Sequence, residues 1–407
     1  MMSKNLKKMT IITIALIAIN ICLIVINVVM IDTVIKEHLN NVSSEDTSVI
    51  ATASNSLNEE EKPLFEASSL EQRESPEVND SQIQPTLSFT LDLPKIENEG
   101  EDAPPLLMAS SDGRYAIGVF DGMGGAGAEV YQEDNQEHKG AYFASRTVKD
   151  IVERFVQDSN AYDNGPEALS NSMKEIIKDG LLKKRESLKG SQSLLVSKMV
   201  KTLPTTMAVS FISNKEDKWR IQVFWAGDSR VYLLTPNTGL SQLTKDDLSI
   251  EQDPFQNLYN DSSLNNMVNL SQDFTINYKE YEAKFPCIVL AASDGCFGYL
   301  PSPMHFEGLL LETMFASNSI YEWKLMLTEK LKEVACDDCT MSLISNLTEY
   351  DTLKNSFNKR YQFLSQEMSV IDDEIREATN NNEKNGNVTK EILEKHWNTY
   401  KTTNYLF

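Results

Sequence analysis

The pattern of apolar and polar positions changes character three times along the chain. Between Met9 and Ile31 no residue is charged. At about 1.5 Å per helical residue, such a run crosses a hydrocarbon core of about 30 Å. Lys4, Lys7 and Lys8 precede it, and Asp32, Lys36 and Glu37 follow. A cleaved secretory leader is the competing reading. The run is longer than the roughly 7–15 apolar residues of a leader, and no small-residue cleavage site follows it directly. It predicts a basic flank over 1–8 and a membrane-spanning helix over 9–31. From 32 to 94 apolar residues are scattered without period among Ser, Asn, Glu and Pro. Such a stretch cannot bury enough apolar surface to offset chain entropy, so it predicts an acidic disordered tether.

From Lys95 the pattern becomes that of a globular domain, over 95–347. Arg114–Phe120, Thr206–Ser213, Arg220–Ala226, Arg230–Thr235, Cys287–Ala292 and Cys339–Ser345 are short apolar runs that predict strands. Ala141, Ala144, Val148, Ile151, Val152 and Phe155 recur three and four apart, as do Leu169, Met173, Ile176, Ile177 and Leu181; both sets predict amphipathic helices. Helices in a block between hairpin-like strand neighbours point to an α+β fold with antiparallel sheets. Beyond it, over 348–407, Leu353, Phe357, Tyr361, Leu364, Met368, Ile371 and Ile375 trace one face of a helix of about six turns. Asn380–Asn387 breaks it, and Lys390–Tyr400 predicts a short second helix. The face at 353–375 either docks on the domain or serves as a partner helix.

Composition narrows the function. In 407 residues, 38 Lys and Arg stand against 60 Asp and Glu, a net charge of −22. That argues against nucleic-acid binding, which needs clustered cations. It also repels phosphorylated substrates unless bound cations reverse the local sign. Five cysteines make no disulfide scaffold. Cys336 and Cys339 form a C-x-x-C read as buried small side chains, with zinc or redox chemistry the lesser alternative. The four histidines form no ligand spacing and read as surface residues.

Three carboxylate motifs sit beside apolar runs: Phe120-Asp121-Gly122-Met123-Gly124-Gly125, Ser293-Asp294-Gly295, and Asp337-Asp338-Cys339-Thr340. One Asp-Gly pair alone reads as a turn. Three of them on strand ends place rigid carboxylates where hard cations such as Mg²⁺ and Mn²⁺ bind, with glycine allowing close backbone approach. A fourth segment, Trp225-Ala226-Gly227-Asp228-Ser229-Arg230, precedes Leu243-Thr244-Lys245-Asp246-Asp247.

In this order the motifs resemble those of the metal-dependent protein phosphatases, the protein phosphatase 2C (PPM-type) family, over about residues 95–347. Asn98-Glu99-Gly100-Glu101-Asp102-Ala103 resembles the family's first acidic motif. The resemblance implies two antiparallel sheets sandwiched between helices, with two Mg²⁺ or Mn²⁺ ions at one end. It implies that Asp121 bridges both ions, Gly122 lends its carbonyl, Asp294 and Asp337 hold one ion, and Glu101 with Asp102 beside it holds the other. Asp228 matches a ligand of a third, weaker ion. The implied activity is hydrolysis of phosphoserine and phosphothreonine proteins by a hydroxide bridging the two ions. Asp121, Asp294 and Asp337 would be the catalytic carboxylates. Met123, as in bacterial-type members, replaces a proposed general-acid His and cannot donate a proton. Glu97 stands where a phosphate-binding Arg is expected, with Lys95 nearby; Gly298 replaces a third-ion Asp; and Asp338 replaces an Asn. These departures keep open a second class of function, a catalytically silent phosphoprotein-binding scaffold. The lysines ahead of the apolar run place the N-terminus in the cytoplasm by the positive-inside rule. The domain is then expected on the extracytoplasmic side, with the cytosolic face as the alternative.

Overall fold

The computed structural model describes residues 86–97, 99–110, 113–134, 136–157, 162, 164–190, 200–250, 253–260, 262–380 and 386–404. The predicted spanning helix and the tether up to residue 85 lie outside them. Among the described residues, no helix is long and apolar enough to cross a membrane.

The chain opens with β1 (Ser88–Leu93), β2 (Leu106–Ala109), β3 (Arg114–Val119), β4 (Val130–Glu133) and β5 (Gln136–Lys139). Helices α1 (Gly140–Gln157) and α2 (Pro166–Ser187) follow, then β6 (Lys189–Gly190), β7 (Met207–Lys215), β8 (Lys218–Ala226), β9 (Arg230–Thr235) and β10 (Gly239–Gln242). A short α3 (Pro254–Asn257) leads to β11 (Asn277–Lys284) and β12 (Ile288–Ala292). Last come α4 (Pro303–Ala316), α5 (Ile320–Val334), β13 (Cys339–Ser345), α6 (Tyr350–Asn380) and α7 (Gly386–Asn404).

Two five-stranded antiparallel sheets form, in the orders β1-β13-β12-β9-β10 and β11-β8-β7-β3-β2; β5-β4-β6 make a small third sheet. The central strands are buried on both faces, which is why they read as unbroken apolar runs rather than alternations. In β3, Tyr115, Ile117 and Val119 join Val289, Ala291 and Ile344 between the sheets. Ala116 points the other way, onto Phe143, Val148 and Met173 of α1 and α2. The far side of the first sheet is covered by α4, α5, α6 and α7 through Leu310, Trp323, Phe357 and Trp397. The layers are therefore helix, sheet, sheet, helix, in accord with the expected α+β class.

Several expectations shift. The strand β1 falls inside the stretch assigned to the tether, 32–94, because Ser88-Phe89-Thr90-Leu91 alternates too briefly to stand out from its acidic surroundings. It pairs with β13 from Ser88↔Ile344 to Leu93↔Cys339 and buries Phe89 and Leu91. The face at 353–375 is not left for a partner: Leu353, Phe357, Leu364 and Ile371 are buried in the domain's own core. His305 is not a free surface group. Burial lowers its pKa to about 4, and its Nδ1 lies 2.7 Å from Ser302 Oγ. Cys336 is exposed, whereas Cys339 is buried and faces Cys296, with the sulfurs 2.7 Å apart; the C-x-x-C does not act as a unit.

Candidate active site

Antiparallel pairing brings the carboxylate motifs to one edge. The end of β12 lies beside both the start of β13 (Ala292↔Met341) and the start of β9 (Ala292↔Arg230). The end of β3 lies beside the start of β7 (Val119↔Ala208), which lies beside the end of β8 (Met207↔Ala226). Asp121, Asp228, Asp294 and Asp337 each occupy a turn at those ends, and Glu101 and Asp102 precede β2. All six line a single cleft of about 540 Å³, together with Gly122, Met123, Lys95, Lys139 and Asp338.

Asp102 is 5% exposed and accepts a 2.8 Å hydrogen bond from Thr340 Oγ1. Burial, reinforced by Asp338 and Asp294, raises its pKa to about 7. Burial pushes Asp121 well above the ordinary range, with the nearby charges of Asp102, Asp294 and Asp228 adding to it. Its side chain shares hydrogen bonds with Asp102 and Asp294. Burial and the Asp294 charge raise Asp228 to about 8, and burial followed by Asp337 raises Asp294. Carboxylates packed this way repel unless protons or cations are shared among them. Asp337 is exposed, and its Oδ1 accepts the Asp338 amide at 2.9 Å.

Glycines let the motifs approach. A Cβ at Gly122 would run into the Glu101 carbonyl, one at Gly124 into the Glu101 carboxylate, and one at Gly295 into the Asp338 carbonyl. The Asp121 carbonyl is fixed by the Thr205 hydroxyl (2.6 Å) and the Thr206 amide (2.9 Å).

The donor set consists of carboxylate oxygens, with the Gly122 carbonyl at the same edge, and it suits a hard divalent cation rather than a soft one. Among the described residues, no three such side chains are already drawn around one point as a finished cage. Glu101 instead pairs with Lys139 Nζ at 2.5 Å.

Sequence reasoning missed Lys139 and Arg146, and saw Asp338 only as a departure from the family pattern. Lys139, at the end of β5, neutralises Glu101; no motif marks it. Asp338 accepts the Lys95 amide at 2.7 Å and the Glu101 amide at 2.6 Å, so it pins the loop that carries the first acidic motif. Arg146, on α1, donates to the Gly100 carbonyl at 3.2 Å and stacks on Tyr142, 3.6 Å from the ring centroid. Asp246 and Asp247 were visible as a pair but had no role. Asp246 holds Arg230 through Nε at 2.9 Å and Nη2 at 2.6 Å, and Asp247 accepts the Gly227 amide at 2.9 Å. Together they fix the turn that presents Asp228.

No protein-family model and no curated protein matches the chain. Solved structures of similar shape include a bacterial serine phosphatase, at 15% identity over 65% of this chain and 99% of that one, with a TM-score of 0.48. Another is the serine/threonine phosphatase Stp1 from Staphylococcus aureus, at 15% identity over 65% and 96%, with a TM-score of 0.46. A third is the catalytic domain of the serine/threonine protein phosphatase PstP in complex with two manganese ions, at 17% identity over 64% and 98%, with a TM-score of 0.40.

Proposed function

We propose that this chain is a membrane-anchored, divalent-cation-dependent serine/threonine protein phosphatase of the protein phosphatase 2C type. The observation that carries the reading is the convergence of Glu101, Asp102, Asp121, Asp228, Asp294 and Asp337, from separate turns, on one cleft. Eight carboxylates, these six with Glu99 and Asp338, and only two lysines beside them cannot receive a phosphoryl dianion on their own. Asp121, Asp294 and Asp337 would hold one Mg²⁺ or Mn²⁺, and Asp121 with Glu101, Asp102 and the Gly122 carbonyl the other; Asp228 would serve a third, weaker ion. Such ions, when bound, neutralise phosphoryl oxygens and make water acidic enough to attack near neutral pH.

The protein's own part is positional. Asp338 and Arg146 hold the Gly100–Asp102 backbone, while Thr205 and Thr206 hold Asp121. Lys95, exposed on the cleft wall, supplies the positive charge that Glu97 cannot supply at the expected arginine position. Met123 lines the cleft but has no proton to give to the leaving hydroxyl.

Release of inorganic phosphate from a phosphothreonine peptide by the detergent-solubilised chain tests the reading. It should require Mn²⁺ or Mg²⁺ and stop on chelation; a cation-loaded chain inert toward phosphopeptides would favour the scaffold. Anchoring through Met9–Ile31, with the domain outside the cytoplasm, belongs to the same proposal. It is supported by the lysine asymmetry and tested by protease shaving of intact cells. Survival of the domain until the membrane is permeabilised would reverse the topology.

A further inference from the structure

The carboxylate cleft has a neighbour. A second cleft of about 350 Å³ shares Asp228 and Asp294 with it and is walled by Leu258 and Tyr259 on one side and Phe297 and Tyr299 on the other. A phosphorylated side chain whose phosphoryl group sits at the carboxylates is still attached to a polypeptide, which must leave by some path. The second cleft begins at the same two aspartates and offers two half-exposed tyrosine rings, surfaces that suit main chain and mixed side chains.

Its Leu258–Tyr259 wall is held from outside the domain's two sheets. The helix α7 touches the wall once, at Tyr259, and grips Asp253 at the start of α3 twice. Trp397 Nε1 donates to Asp253 Oδ1 at 2.5 Å, Lys401 Nζ donates to Asp253 Oδ2 at 2.8 Å, and Lys390 Nζ lies 4.6 Å from the Tyr259 ring centroid. Asp253 in turn caps α3 by accepting the Phe255 amide at 2.9 Å. At the end of α3, Asn257 Nδ2 donates to Asp246 Oδ2 at 2.9 Å, and Asp246 is the carboxylate that grips Arg230, two residues from Asp228. A hydrogen-bonded path thus runs from the C-terminal helix through α3 to Asn257 and Asp246, which themselves line the second cleft. The helix itself is anchored away from the cleft, where the Tyr400 hydroxyl donates to Glu307 beside the buried Arg360–Glu307 pair.

We propose that the C-terminal helix pair is a positioning element for polypeptide substrates. Through Trp397 and Lys401 it fixes Asp253, and through Asp253 the wall of the second cleft, in which the chain flanking the phosphorylated residue lies. The proposal rests on the phosphatase reading for its substrate class. It assigns Trp397 and Lys401 to positioning, since neither lines the carboxylate cleft.

The test uses the full, detergent-solubilised chain carrying Trp397→Phe with Lys401→Met, which keeps an aromatic ring at 397 and an unbranched side chain at 401 and removes both donors to Asp253. Kinetics with saturating Mn²⁺ are compared on p-nitrophenyl phosphate, which needs only the first cleft, and on a short phosphothreonine peptide. Binding of the same peptide is followed by fluorescence anisotropy. Loss of charged hydrogen bonds to the wall should raise KM and Kd for the peptide about tenfold. Turnover of p-nitrophenyl phosphate should stay near wild type, and Lys401→Arg should restore peptide binding. Equal losses on both substrates would reduce α7 to general support and overturn the proposal, as would an unchanged peptide KM and Kd. If the wild type hydrolyses neither substrate, the phosphatase reading fails, and anisotropy still decides the role of α7. If the double variant does not fold by near-ultraviolet circular dichroism, Lys401→Met alone is held to the same comparison.

Discussion

The crowding of carboxylates at the cleft has a consequence for stability that can be worked through at Asp102. Its folded pKa of about 7 exceeds its ordinary value of 3.8, chiefly because the group is buried. The folded state therefore keeps a proton that the unfolded chain has already released. Stability from this source is fully present in acid, and it is lost as pH rises through the window from 3.8 to about 7. Each pH unit within that window costs about 1.36 kcal/mol per retained proton, so the whole window sets a ceiling near 4 kcal/mol. Between about pH 5 and pH 7, roughly 2–3 kcal/mol should disappear in the presence of chelator. The perturbation that isolates it is Asp102→Asn, which keeps an acceptor for Thr340 and removes the charge. Urea unfolding of both proteins at several pH values, with and without Mn²⁺, is the assay. The wild type should lose stability with pH more steeply than the variant in chelator, and millimolar Mn²⁺ should flatten its curve. Parallel curves for the two proteins, or a wild type that gains stability over this range, would refute the reasoning.

Asp121→Asn and Asp294→Asn should each abolish phosphate release while leaving circular dichroism unchanged, since a neutral amide is a poor substitute for a ligating carboxylate. With one repelling charge fewer, their cation-free melting temperatures should equal or exceed the wild type's. Arg360→Met strands Glu307, which is fully buried, without its cation; a loss of about 3–5 kcal/mol in urea unfolding is expected, and a change under about 1 kcal/mol would show the pair to be dispensable. Deleting residues 41–80 should leave activity nearly unchanged, whereas extending the deletion through Leu93 removes β1 from its pairing with β13 and should cost folding. Equal behaviour of the two deletions would mean that β1 contributes nothing.

What the sequence revealed follows from how local each signal is. Arg230–Thr235 and Cys339–Ser345 were read with their observed limits because strands buried on both faces make short, sharply bounded apolar runs. The edge strand β11 escaped because Asn277–Lys284 is mostly polar and charged, and its single partner is β8. Helix α4 escaped for the opposite reason: buried between the sheet and α6, Pro303–Ala316 is apolar on nearly every side and shows no period. At the site, the aspartates were legible because each sits beside a glycine or a strand end. Lys139 was not, nor was the role of Asp338, because their work is done on Glu101 across 38 and 237 residues of sequence. Those distances are closed by the sheets, and nothing local announces them.

Calorimetric titration of the solubilised chain with Mn²⁺, run beside Asp121→Asn, tests the central claim that the cleft is a divalent-cation centre built on Asp121. Saturable binding of two ions by the wild type and loss of the tighter binding in the variant is the outcome expected. Absence of saturable binding, or identical isotherms for the two proteins, would contradict it.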